Sequence, residues 1–130
     1  MPWGWSTVVI DDSGDMGSFI SLALGAGGEA HLAYSDRGNK RLNYARQEGL
    51  GWVREAVDAD SRGTDASIFL DAGGWPHISY RGGVDGALKY AYRDVAGWRV
   101  HYVDTNKDVG GYSSLVVDSA GRAHISYYDY

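Results

Sequence analysis

Apolar and polar residues alternate along most of the chain, in short runs separated by glycine-containing turns. In the middle of the sequence the runs read SIFLD (67–71), PHISYR (76–81), ALKYAYR (87–93) and WRVHYVD (98–104). Alternation with a period of two marks β-strands, because successive side chains point to opposite faces of a sheet. No helix-length stretch carries a 3.6-residue apolar rhythm, so the pattern predicts an all-β chain. The first run is apolar on both faces and predicts a fully buried strand. The fourth runs carry Arg54, Glu55 and Arg99 between apolar positions and predict an exposed edge.

The same four runs recur. Gly-Trp pairs fall at Trp5, Trp52 and Trp98, spaced by 47 and 46 residues, and each Trp is followed six residues later by Asp11, Asp58 or Asp104. His31, His77 and His124 recur in register, each followed three residues later by Tyr34, Tyr80 or Tyr127. SLALG (21–25) and SLVVD (114–118) match SIFLD, and LNYA (42–45) matches LKYA (88–91). Self-similarity at a fixed period is the mark of a repeat architecture. The segments are 1–12, a fourth strand; 13–59 and 60–106, complete four-stranded units; and 107–130, the first two strands of another.

Four antiparallel strands in a period of this length describe one blade of a β-propeller. The pattern SLVVDSAGRAHISYYD followed by LKYAYRDVAGW resembles a bacterial and archaeal propeller repeat of extracellular and surface proteins, in the sialidase-like and lectin-like neighbourhood. The resemblance covers essentially the whole chain. It implies blades, a site outside or on the surface of the cell, and a fold that hosts hydrolases, lectins and scaffolds alike. The sialidase Asp-box, S-x-D-x-G-x-x-W, is not matched, because Asp118 and Gly121 stand three apart in DSAG.

A closed propeller generally takes about four to eight blades, and this sequence encodes fewer than three. An open arc leaves two apolar blade faces bare, which a soluble monomer does not tolerate. The expectation is a cyclic homo-oligomer, a dimer of about six blades in preference to a trimer of about nine. In it the strand at residues 1–12 would complete the last blade of a neighbour. No third-strand sequence follows Tyr130 in that blade.

Composition narrows the partners. The net charge of −5 argues against nucleic acid, which asks for clustered Lys and Arg. No apolar run reaches the roughly 18 residues of a membrane span, so no membrane insertion is expected. The start, MPWGWSTVVI, lacks the basic region of a signal peptide. There is no cysteine, and with it no disulfide or thiolate metal site. Nineteen glycines and ten tyrosines suit many short strands and tight turns.

The candidate chemistry follows the repeat. His31, His77 and His124, with Tyr34, Tyr80, Tyr127, Asp11, Asp58 and Asp104, read as framework: a polar set that each blade satisfies in the same way. In this reading Ile78 and Tyr80 pack against the next blade. Trp5, Trp52 and Trp98 suit either packing between blades or stacking against sugar rings. Trp75 stands where the sister repeats have Glu29 and Arg122, and is a candidate ligand contact or interface anchor. The variable connections SDRGNKR (35–41) and RGGVDGA (81–87) add Asp36 and Arg81 as ligand-binding candidates. Asp58, Asp60 and Asp65 form a weak option for calcium, without EF-hand spacing; turn formation explains them as well. No cofactor is otherwise expected.

No convergent acid, base and nucleophile set emerges, so the expectation is a non-enzymatic ring-forming repeat protein of lectin-like, carbohydrate-binding character. Two alternatives stand beside it. One is a propeller fragment, natural or engineered, with a purely structural self-assembly role. The other is a sialidase-like glycoside hydrolase.

Overall fold

The computed structural model describes residues 4–59, 61–82 and 86–130. They form ten strands and, among the described residues, no helix. Strands β1 (Met16–Leu24), β2 (Ala30–Asp36), β3 (Arg41–Glu48) and β4 (Gly51–Asp58) make one antiparallel sheet, in that order. Strands β5 (Thr64–Leu70), β6 (Pro76–Gly82), β7 (Ala87–Asp94) and β8 (Gly97–Asp104) make a second with the same order. Strands β9 (Val109–Val117) and β10 (Ala123–Asp129) pair as a third. The sheets approach one another most closely at their first strands, β1, β5 and β9.

Each first hairpin turns on a glycine that takes a left-handed conformation: Gly28, Gly74 and Gly121, with φ of 83°, 81° and 82°. Their N–H groups close the turns onto the carbonyls of Gly25, Asp71 and Asp118. Each first strand also holds a left-handed residue that is not glycine: Phe19, Asp65 and Tyr112, with φ of 52°, 54° and 51°. The pairing register breaks around each of these positions, so they mark bulges.

The main core lies between the first two sheets. Ala33, Leu42, Tyr44 and Val57 of the first meet Ile68, Ile78, Tyr80 and Ala91 of the second. Full burial of a side chain such as Ile78 stabilises by about 1.5–3 kcal/mol. Ile78 and Tyr80 thus pack against the preceding sheet, not the following one, because alternation turns Ile78 and Tyr80 to the face that the first sheet covers.

Two further expectations need revision. The most buried strands are β2 and β6, not the apolar first strands. Among the described residues no sheet covers the outer face of β1, so Ile20, Leu22 and Leu24 stay exposed despite their apolar pattern. A fourth strand was expected at residues 1–12; residues 1–3 lie outside the described residues, and residues 4–12 pair with no strand among the described residues, since a fourth strand needs a third to bond.

Candidate functional site

The histidines settle into one arrangement. Nε2 of His77 lies 2.8 Å from Asp71 Oδ2, and Nδ1 lies 2.6 Å from the Tyr90 hydroxyl. A carboxylate only accepts, so Nε2 carries the proton, and in the neutral ring Nδ1 accepts from Tyr90. His31 repeats the Tyr contact, with Tyr44 at 2.7 Å, and His124 repeats the Asp contact, with Asp118 at 2.9 Å. In the first repeat Gly25 stands where Asp71 and Asp118 stand in the others. Glu29 supplies the carboxylate instead, 3.3 Å from His31 Nε2. His31 and His77 tie second strand to third strand and to turn, His124 ties second strand to turn, and the three do not converge on one point.

The repeated tyrosines bridge along the chain in the same regular way. Tyr34, Tyr80 and Tyr127 donate to Asp11, Asp58 and Asp104 at 2.8, 2.8 and 2.7 Å. Burial opposes ionisation of Asp11, but hydrogen bonds from Ser13 and Tyr34 hold its carboxyl below the usual range. Asp58 also pairs with the buried ammonium of Lys89. Asp65 serves the bulge, and its carbonyl accepts the Ser113 hydroxyl. Asp60 lies outside the described residues. Among the described residues no group of three or more His, Cys, Asp or Glu is placed to hold a metal ion.

The expected ligand contacts scatter. Trp5 is fully exposed, while Trp52 packs on Leu32, Tyr34 and Ala45. Trp75 is 36% exposed and donates its backbone N–H to Asp71. Asp36 is buried and accepts from the backbone and side chain of Asn39, holding its own turn. Arg81 reaches Asp108 at 3.0 Å and lies over the Tyr130 ring, at the second seam.

Trp98 lies elsewhere, in the seam between the first two sheets. Its ring meets Tyr44 edge-on at 5.1 Å. Beside this pair Arg93 presents Nε to both oxygens of Glu55, at 3.1 and 3.2 Å. Register explains the arrangement: Tyr44 is opposite Glu55 on β3 and β4, and Arg93 is opposite Trp98 on β7 and β8. Two cross-strand pairs therefore face each other across the seam. Arg93 and Glu55 are both partly open to solvent, at 28% and 23% of side-chain surface. Burial of Tyr44 pushes its hydroxyl up to about 12, so it stays a neutral hydrogen-bonding group. The Trp98 indole N–H is buried and finds no partner among the described residues.

Such a seam combines a half-buried indole, an ion pair in which one Arg93 N–H is shared by both Glu55 oxygens, and an unspent donor, the few convergent polar groups on an apolar wall that small-molecule sites show. Pattern reading missed Arg93 and Glu55, because charges on a strand edge read as solvated. The available signal was departure from the repeat: Glu55 is replaced by Val8 and His101, and Arg93 by Gln47.

The described residues define an all-β protein of repeated antiparallel sheets. No protein-family model matches the chain, and no curated protein does. Among solved structures it is similar to that of a fucose lectin from Kordia zhangzhouensis in complex with methyl-fucoside. The two are 24% identical, the match covers 85% of this chain and 83% of that one, and the TM-score is 0.58. The likeness is one of fold.

Proposed function

We propose that the protein is a non-enzymatic, lectin-like carbohydrate-binding module built of propeller-type blades, and that its glycan site is the seam of Glu55, Arg93, Trp98 and Tyr44. The observation that carries this is the Arg93–Glu55 pair set beside Trp98. A guanidinium and a carboxylate held side by side offer donors and acceptors at the spacing of vicinal sugar hydroxyls. The neighbouring indole supplies an apolar face for the ring carbons of a pyranose. The fold likeness to a fucose lectin supports the same reading. The bare outer sheet faces support assembly of several copies into a ring, in which repeated seams raise avidity.

A glycan array read with and without calcium tests the proposal. Saturable signal for defined sugars, unchanged by chelator and lost in Arg93→Lys, is the expected result. Silence across the array from a folded protein would leave the purely structural reading. Turnover of a chromogenic glycoside would instead favour the hydrolase.

A further inference from the structure

The sheet-to-sheet interface occurs twice within the chain with the same chemistry. The backbone N–H of Ile68 donates to Ser21 Oγ at 3.1 Å, and that of Leu115 donates to Ser67 Oγ at 3.2 Å. Leu22, Ile68 and Leu115 hold one repeat position, with exposures of 60%, 7% and 4%. The last two are covered by the preceding sheet, and Leu22 is not. Ile20 and Leu24 extend this open face, and an apolar groove of about 250 Å³, lined by Val8, Val9, Ile10 and Met16, lies beside them. At the opposite end Val116, in the position of the part-buried Ala23, is 52% exposed.

The two ends also complement each other in aromatic residues. Asp11 takes the Tyr34 hydroxyl as Asp58 takes that of Tyr80, so residues 4–11 stand to the first sheet in chain order and in this contact as β4 stands to the second. Among the described residues the third sheet has β9 and β10 and neither a third nor a fourth strand. In the first seam Trp98 lies on Tyr44; the second sheet offers Tyr90 at that position, beside the stacked rings of Tyr92 and His101. Trp5, the counterpart of Trp98, is fully exposed.

We propose that the open face of the first sheet docks head-to-tail on the third sheet of a second copy of this chain, continuing the internal interface. Leu22 donates its N–H to Ser114 of that copy, and Trp5 lies on its Tyr90. This rests on the self-assembly reading above and names its surfaces. Heterologous contacts of this kind close into rings when the rotation permits.

Sedimentation velocity on the purified chain, with no glycan present, tests it. The wild type is expected as a discrete oligomer at micromolar concentration. Leu22→Asp and Val116→Asp should each weaken association at least about tenfold, since each places a charge in an apolar interface. Mixed together they should regain one contact and form a heterodimer, because each retains one intact face. Should either Asp variant lose its β-signal in circular dichroism, Leu22→Ser and Val116→Ser carry the same comparison. A folded wild-type monomer overturns both this docking mode and the self-assembly reading. An oligomer indifferent to both substitutions, or sensitive to only one, overturns this docking mode and leaves self-assembly standing.

Discussion

Glu29 reaches His31 Nε2 from a backbone position four residues beyond the one from which Asp71 reaches His77. A Cβ placed on Gly25 would stand 1.8 Å from Glu29 Oε1, so a side chain there requires the Glu29 carboxylate to swing off His31. One repeat has moved its carboxylate and deleted the old one. Gly25→Asp alone should therefore displace the Glu29 carboxylate and destabilise modestly, by about 0.5–1 kcal/mol. Adding Glu29→Trp, which copies the second repeat, should restore most of the loss in a urea melt. A double variant no better than the single one would contradict this exchange.

The carboxyl of Asp118 is held down to about 2, chiefly by the hydrogen bond from His124 and also by the Arg122 backbone. A carboxylate depressed in the folded state stabilises fully above its ordinary value, 3.8 here, and loses that contribution as pH falls through the folded value. Carbon-detected NMR titration should find Asp118 still ionised at pH 3. In His124→Ala it should titrate closer to the ordinary value; an unmoved titration would refute the role of the histidine.

Lys89 is 4% exposed and pairs with Asp58 beneath the rings of Tyr80 and Tyr102. Removing one partner of a buried pair typically costs about 3–5 kcal/mol, because the other charge is left uncompensated. Lys89→Met should fall in that range, and Lys89→Met with Asp58→Asn should be less destabilised than Lys89→Met alone. Additive losses in thermal melts would show that the pair is not coupled.

Much of the fold was legible from spacing. Four alternating runs per period gave the all-β class and the antiparallel sheets, since a two-residue period constrains which face each side chain takes. Burial was less legible. SLALG and SIFLD have similar patterns, yet Leu22 is open and Ile68 covered, because cover depends on which sheet lies opposite and no local pattern records that. The seam was hidden for the same reason. Glu55 and Arg93 are 38 residues apart on an edge strand and a third strand, and only the packing of one sheet on the next brings them together. Trp98 was visible as a repeated residue; that its indole N–H is unspent was not.

The central claim is that Arg93, Glu55 and Trp98 form a glycan site, and the Trp98 indole proton reports on it directly. Two-dimensional NMR with the strongest array glycan, and with methyl-fucoside as a defined probe, follows that resonance through a titration. The account predicts a saturable shift of the Trp98 Nε1–H signal, weakened at least about tenfold in Arg93→Lys, which keeps the charge but loses the planar guanidinium whose Nε meets Glu55. A Trp98 signal that stays still while a glycan demonstrably binds, or binding that is equal in Arg93→Lys and Glu55→Gln, would contradict it.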